Sequence, residues 1–371
     1  MQRRAFRVAV RRLGALAGSP WFRLLGTAVA VLLFVHGVDL GAAIRLFGHL
    51  RAGWAVLAVV LAALSVASSV LEWGVFLRGT GHGLDWSFLG TWYLKGLFVN
   101  QVLPAGVGGD AMRALRMGRI TGHGAMVASL VASRMAGTLG MALWGLCAAV
   151  LLRDLVHIPE FAGFVVFAAL MMVAWVLALL AETVRARIPE HRRASHALGR
   201  ALHPFTSTFD RYRCRPSIIA QSIAAGTVGW GLNLFSMQAF SLALGQSVSW
   251  EVFAVALPIA LLATFIPISA NGIGVREGVL VVLLLRTHVS LPMATALALF
   301  VDLQMVPFAV LGGLVYLVEH GRLHRPMWLM RQLGARVGGA MGMAPALRPV
   351  APRFSSTPAP ERVADGTDRN R

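Results

Sequence analysis

Three ionisable residues lie inside apolar stretches of the sequence, where a charge is unfavourable. Arg134 lies within the apolar run Ala125–Leu152, and Asp302 lies within Leu291–Glu319. Lys95, the only lysine, lies near the middle of a further apolar stretch. Ionisable groups within membrane segments are rare and usually functional, so each is a candidate site residue. Arg134 and Asp302 could also form a buried structural ion pair, and the two roles can coexist.

Two turns rich in proline and glycine each carry an arginine nine residues after the proline. Alignment of Pro104 with Pro267 also aligns Arg113 with Arg276. A guanidinium fork suits phosphate better than an ammonium does, and a helix that begins in a glycine-rich turn offers free backbone N–H groups to an anion. Both turns are therefore predicted to hold phosphate. The residues predicted to shape them are Pro104, Gly106, Gly108, Gly109, Pro267, Gly272 and Gly274.

Acidic residues accompany both arginines. Asp110 and Glu277 are predicted to orient the guanidinium groups and, with Asp302, to hold the cations when no lipid is bound, because an unpaired buried charge is strongly unfavourable. Glu72, by contrast, lies close to the end of its apolar run and is interpreted as an interfacial group. The predicted substrate-binding residues are Lys95, Asn100, Asp110, Arg113, Arg134, Arg276, Glu277 and Asp302.

Motifs for other chemistries are missing from the sequence. It has no P-loop for ATP hydrolysis, no H-E-x-x-H or paired-carboxylate pattern for a metal, and no dinucleotide-binding loop. Cys147 and Cys214 are far apart and suggest neither a disulfide nor a thiolate metal site. We therefore predict no catalytic residue, no metal and no cofactor.

The composition indicates that these residues belong to a membrane protein. Hydrophobic residues make up 57% of the 371 residues and charged residues 13%, with a mean hydropathy of +0.69. A soluble chain is typically about 25% charged. The formal net charge is +18, but the arginines lie between apolar runs and form no patch on a soluble domain, so nucleic acid is not a predicted partner. The sequence indicates an all-α, multi-pass membrane protein.

Six apolar runs are long enough to cross a bilayer, for which about 20 residues are needed. Two further stretches, Trp86–Leu103 and Val252–Ile266, stop at the proline-glycine turns and are predicted to be re-entrant hairpins. Three spans separate the hairpins, which therefore face opposite sides as an inverted repeat, a pattern typical of transport sites. Ordinary proline-glycine turns between short helices are the alternative. The predicted spans are Trp21–Val38, Trp54–Leu77, Ala125–Leu152, Phe161–Ala181, Ser217–Gly245 and Leu291–Glu319.

Arginine counts give the orientation. In this topology 26 arginines lie in segments on one side and four on the other, and the positive-inside rule assigns the first side to the cytoplasm. Both termini are then cytoplasmic. The predicted regions are a basic N-terminus (residues 1–20), a transmembrane domain (21–320) with re-entrant elements at 86–119 and 251–286, a basic cytoplasmic loop (182–216) and a mostly disordered tail (321–371).

Four segments resemble the lysylphosphatidylglycerol-synthase transmembrane family of flippase-like membrane proteins. Asn100–Arg113 resembles its first signature, Ala128–Arg134 its next segment, Pro267–Glu277 its second signature, and Gly312–Tyr316 its closing span. The resemblance covers about residues 20–320 and implies movement of a polar-headed lipid between leaflets. The sequence after the last span is too short for the soluble domain that the aminoacyl-lipid synthases carry, so synthase activity is not expected.

One departure from the family concerns the partner of Arg134. Relatives often carry an acidic or bulkier residue after this arginine, whereas this chain has Met135-Ala-Gly137. Asp302 is therefore the expected partner of Arg134.

Two functions remain open at this level. The first is flipping of a polar-headed, phosphate-containing lipid or lipid-linked precursor in the bacterial cytoplasmic membrane. The second is a non-transporting partner or scaffold of a lipid-modifying or glycosyl-transferring enzyme, and a membrane-embedded transferase is a weaker third. Anionic lipid headgroups are the expected partners, with a lipid-biosynthesis enzyme as a further candidate. The lipid, the energy source and the oligomeric state do not follow from the sequence.

Overall fold

The computed structural model describes residues 20–38, 40–102, 108–151, 214–264, 269 and 272–319, with isolated positions in 165–180 and 208–212. These residues are helical apart from short turns and connections. The basic loop and the tail predicted from the sequence lie almost entirely outside the described residues. The helices are α1 (Pro20–Gly37), α2 (Leu40–Phe47), α3 (Ala52–Gly79), α4 (Trp86–Val102), α5 (Gly108–Thr121), α6 (His123–Leu151), α7 (Pro216–Ala243), α8 (Trp250–Ala263), α9 (Val275–Leu285), α10 (Leu291–Leu303) and α11 (residues 306–319).

Four helical stretches are long and apolar enough to cross a membrane: α3, α6, α7 and the continuous run of α10 and α11. A fifth would be α1 with α2, which are bent by 77° at residues 38–39. The predicted span Phe161–Ala181 lies largely outside the described residues. The prediction of an all-α membrane protein is confirmed, and the count of six spans stays a prediction.

Small residues hold α3, α6 and α7 together. A Cβ atom on Gly140 of α6 would lie 2.7 Å from the backbone nitrogen of Thr227 on α7. Ser65 and Ser68 of α3 donate hydrogen bonds of 2.8 and 2.7 Å to carbonyl oxygens of α7. Close backbone approach and serine hydrogen bonds are how helices associate where the hydrophobic effect is weak. Gly140 therefore serves the close packing of α6 against α7.

Helices α4 and α5 form the first predicted hairpin. The backbone N–H of Gly109 donates to Oδ1 of Asn100 at 2.7 Å, and a Cβ on Gly109 would lie 2.2 Å from the carbonyl oxygen of Gly96. Further from the turn, Gly96 packs against the side chain of Arg113. The paired positions move apart along the two helices, so α4 and α5 run antiparallel.

The second predicted hairpin pairs α8 with α9. Gly272 and Gly274 have φ values of +74° and +84°, a backbone region that glycine enters readily. Gly274 also has no room for a Cβ, which would lie 2.7 Å from the backbone of Ala30 in α1. These two glycines therefore set both the shape of the turn and the contact with α1.

The last span packs against the first hairpin. A Cβ on Gly312 of α11 would lie 2.0 Å from the carbonyl oxygen of Leu94 on α4, and one on Gly313 would lie 2.8 Å from the ring of Phe98. The rings of Phe98 and Tyr316 are 6.4 Å apart. The closing segment of the sequence is thus fitted to the helix that carries Lys95.

Candidate functional site: two ion clusters beside the hairpin turns

Asp110 joins two arginines from different helices. It lies in the first turn of α5, and its Oδ2 accepts hydrogen bonds from Nε and Nη2 of Arg134 on α6 at 3.1 and 2.8 Å. Its Oδ1 accepts from Nη2 of Arg113, one turn further along α5. We call Asp110, Arg113 and Arg134 the first cluster. One carboxylate thus ties the hairpin to a spanning helix.

Exposure rises across the first cluster. The exposed fraction of the side chain is 6% for Arg113, 16% for Asp110 and 65% for Arg134. Arg134 lies about 17 Å along α6 from its first residue, counting 1.5 Å per residue. It is therefore an accessible cation within a spanning helix, while Arg113 is the buried anchor of the cluster.

Aromatic rings surround the buried anchor. The guanidinium carbon of Arg113 lies 4.7 Å from the ring centre of Trp73 on α3 and 4.9 Å from that of Tyr93 on α4. Such contacts stabilise a desolvated cation. Nε of Arg113 and Nε1 of Trp73 are buried without an acceptor among the described residues. Arg113 is held by packing as much as by its ion pair.

The second cluster consists of Arg276, Glu277 and Asp302. Nε and Nη2 of Arg276 lie 3.0 and 2.9 Å from Oε1 of Glu277, and Nη2 also pairs with Asp302 on α10. The exposed fraction is 5% for Glu277, 19% for Arg276 and 43% for Asp302. Here the buried and exposed ends are both acidic.

The two clusters have the same plan with opposite charges. In the first, a carboxylate lies between a buried and an exposed arginine; in the second, an arginine lies between a buried and an exposed carboxylate. With every group ionised, the first cluster has one excess positive charge and the second one excess negative charge. Only the first presents an accessible cation to an anion.

A family described as the lysylphosphatidylglycerol synthase TM region matches residues 20–313. The chain belongs to this family. A similar protein, named UPF0104 membrane protein, from Methanothermobacter thermautotrophicus, is 23% identical over 318 residues, which cover 77% of this chain and 93% of the relative. The family match at residues 20–313 includes both hairpins and both clusters. The chain is therefore a multi-pass membrane protein of the lysylphosphatidylglycerol synthase TM region family.

The predicted pairing of Arg134 with Asp302 is wrong for this family member. Arg134 pairs with Asp110, and Asp302 pairs with Arg276. The prediction compared positions along the two helices, which estimate depth but not which neighbouring helix a side chain faces. The predicted associations of Asp110 with Arg113 and of Glu277 with Arg276 are confirmed.

The predicted supply of free backbone N–H groups is reduced at both turns. Asn100, a predicted substrate-binding residue, accepts the hydrogen bond of the Gly109 N–H. Glu277 accepts that of the Gly274 N–H at 2.5 Å through Oε2. Each of these side chains takes up one backbone N–H at the start of a helix, which is then not available to a phosphate.

The structure describes only some of the remaining predicted residues. Lys95 is 3% exposed, with Nζ 4.6 Å from the ring centre of Trp92. Gly108, Gly109, Gly272 and Gly274 lie at the described ends of the turns, whereas Pro104, Gly106 and Pro267 lie outside the described residues. Within the described part of the chain, no group of three or more His, Cys, Asp or Glu side chains is placed to hold a metal ion.

Glu72, interpreted from the sequence as an interfacial group, is buried in the protein. It is 7% exposed, and Oε1 accepts a hydrogen bond of 3.0 Å from Oγ of Ser133. The helix that carries it continues to Gly79, beyond the predicted end of the span, so Glu72 lies about 10 Å from that end at 1.5 Å per residue. An acidic residue inside an apolar run indicates a candidate functional group. Glu72 could have been singled out on this ground, as Asp302 was.

Proposed function

We propose that this protein moves a lipid with a phosphate-containing polar headgroup between the leaflets of the bacterial cytoplasmic membrane, with both termini in the cytoplasm. The observation that carries the proposal is the exposed Arg134 within a spanning helix, held by Asp110 of the adjacent hairpin. Family membership supports a role in lipid metabolism or transport. The chain acts as a transporter rather than an enzyme, and anionic lipids are its partners.

The barrier to such movement is electrostatic. Translocon-based scales assign about 2.5–3.5 kcal/mol to a charged side chain at the bilayer centre, and simulations assign more. Arg134 can offer its guanidinium fork to a phosphate if Asp110 releases it. Asp110 then keeps its bond to Arg113, so no charge in the cluster is left alone. The carboxylate thus holds Arg134 between binding events.

The second cluster has a different place in this mechanism. Its single arginine already contacts two carboxylates, so a phosphate would meet excess negative charge there. We propose that it links α9 to α10, with Asp302 as its accessible end. The two hairpins would rock as repeat halves around the first cluster, as in transporters built from inverted repeats.

The proposal is tested with the purified full-length chain in liposomes that contain fluorescently labelled phosphatidylglycerol. A quencher that cannot cross the membrane reports how fast label leaves the inner leaflet. Wild type should accelerate this exchange, and Arg134→Gln should abolish most of the acceleration. Arg134→Lys should also be impaired, because an ammonium cannot reproduce the two-pronged contact.

Arg116→Gln is the matched control, because Arg116 is an exposed arginine of α5 outside both clusters. It removes the same charge and should leave the exchange rate unchanged. If wild type moves neither this lipid nor labelled lipids with other phosphate headgroups, the transport proposal fails. A non-transporting partner of a lipid-modifying enzyme then becomes the better account.

A further inference from the structure

Glu72 lies where three helices meet. A Cβ on Gly137 of α6 would lie 3.2 Å from its Oε1, and a Cβ on Gly226 of α7 would lie 3.1 Å from its Oε2. The Cα of Gly137 itself would be 3.2 Å from that added atom on Gly226. The carboxyl group of α3 therefore fills a slot that only glycines on both neighbouring helices leave open.

The slot contains few groups that could stabilise a negatively charged carboxylate. The donors that reach Glu72 are the hydroxyl of Ser133 and the backbone N–H of Gly137, and among the described residues no cation forms an ion pair with it. Helix α7 has no ionisable residue along its whole length. An ionised carboxylate out of water is strongly unfavourable without a paired charge, and such a group takes up a proton instead.

The hydroxyl of Ser133 suits both protonation states. A serine hydroxyl can donate to the carboxylate or accept from the carboxylic acid, because its hydrogen rotates. Glu72 can therefore gain and lose a proton without rearrangement of the helices around it.

The ionisable groups nearest to this slot belong to the first cluster. Ser133 is followed on α6 by Arg134, whose charge interacts with that of Glu72. Trp73, the next residue of α3, packs against Tyr93 of α4 and Arg113 of α5. Arg134 is therefore bonded to Asp110, and Glu72 contacts the same turn of α6 at Ser133 and Gly137, the residues that flank Arg134.

We propose that Glu72 is a proton-binding site coupled to anion binding at Arg134; this inference rests on the proposed function. Protonation of Glu72 removes a negative charge near Arg134 and so strengthens the binding of a phosphate there. By linkage, a bound phosphate strengthens proton binding at Glu72 by the same factor. The chain then moves a proton in the same direction as the anionic headgroup, and a proton gradient supplies the driving force.

The proton site is tested directly with dicyclohexylcarbodiimide, which reacts with protonated carboxyl groups in apolar surroundings. The full-length protein in lipid nanodiscs is treated across the pH range in which it stays folded, and the adducts are mapped by mass spectrometry. Glu72 should be modified, and less so as the pH rises. Asp110 and Asp302 are internal controls, since each is paired with an arginine. Absence of an adduct on Glu72 at every pH would overturn the inference.

Coupling is tested with the labelled phosphatidylglycerol liposomes under an imposed pH difference. Wild type should respond to the difference by a factor within about 5 to 150, the usual range for coupled sites. Glu72→Gln, which mimics the neutral acid, should still exchange lipid but lose this response. Glu251→Gln makes the same change at the start of α8 and should respond like wild type.

The two proposals fail in different ways. If wild type and Glu72→Gln exchange lipid with the same response to the pH difference, the coupling through Glu72 is refuted and the transport function stands. If wild type exchanges no lipid, the transport function fails, and with it the coupling. The carbodiimide result then still decides whether Glu72 binds a proton.

Discussion

Replacement of Asp110 by asparagine should separate the structural arginine of the first cluster from the functional one. The change keeps the shape of the side chain but removes the charge that both arginines share. Arg113, with 6% of its side chain exposed, then becomes a buried cation without a carboxylate. Breaking a buried ion pair in this way typically destabilises by about 3–5 kcal/mol.

Loss of the Asp110–Arg134 ion pair should lower the free energy of unfolding far less than loss of the Asp110–Arg113 pair. Arg134 has 65% of its side chain exposed, and an exposed ion pair contributes about 0–1 kcal/mol. Asp110→Asn should therefore lower the free energy of unfolding by roughly 3 kcal/mol, the lower end of that range, because the rings of Trp73 and Tyr93 still stabilise Arg113. Arg134→Gln should lower it by less than about 1 kcal/mol while abolishing most of the acceleration of lipid exchange.

The assay is unfolding in mixed micelles with increasing dodecyl sulfate, followed by circular dichroism, beside lipid exchange on the folded fraction. The double variant Asp110→Asn/Arg113→Met should recover part of the lost stability, because it removes the unpaired charge as well. The reasoning is refuted if Arg134→Gln destabilises as much as Asp110→Asn. It is also refuted if Asp110→Asn unfolds like wild type.

Three further results are expected. Gly140→Ala should destabilise by about 1–3 kcal/mol in the same unfolding assay, because its methyl group would meet the backbone of α7 at 2.7 Å. Arg276→Gln should lower the yield of folded protein much more than Asp302→Asn, since it leaves Glu277 buried and unpaired; equal yields would contradict this assignment. In a background without native cysteines, Arg116→Cys should react with an impermeant thiol reagent only from the cytoplasmic side. Ile273→Cys should react only from the outer side. Labelling of both variants from the same side would contradict the inverted repeat.

Features that depend on composition and local sequence were predictable. The apolar runs predicted the long helices, and the proline-glycine turns predicted where α4 ends and α9 begins. The Asp110–Arg113 pair was predictable because residues three apart share a helix face whatever the surrounding fold does. Arg276 and Glu277 are adjacent in the chain, and adjacent residues do not face each other on a regular helix, so their contact follows from the way α9 begins at the turn.

Contacts between distant helices were not predictable from one sequence. Arg134 and Asp302 are each near the middle of a span, which made them plausible partners, but nothing in the sequence specifies the rotation of either helix or its neighbours. The role of Gly137 and Gly226 shows the same limit. A glycine within a spanning helix usually indicates close helix packing. Here the space beside both glycines is filled by the carboxyl group of Glu72, and only the arrangement of three helices reveals it.

The reversed charges of the two clusters bear on how a repeat can give direction to transport. Two halves with identical phosphate sites would hold an anion equally well at both, and a headgroup would gain nothing by moving on. Here the first cluster ends in an exposed arginine and the second in an exposed aspartate. In the proposed mechanism an anionic headgroup would be held at the first cluster and repelled at the second, so anything that weakens the first site would favour its release. Loss of the proton from Glu72, beside Arg134 and buried among α3, α6 and α7, would do this without any change in the lipid.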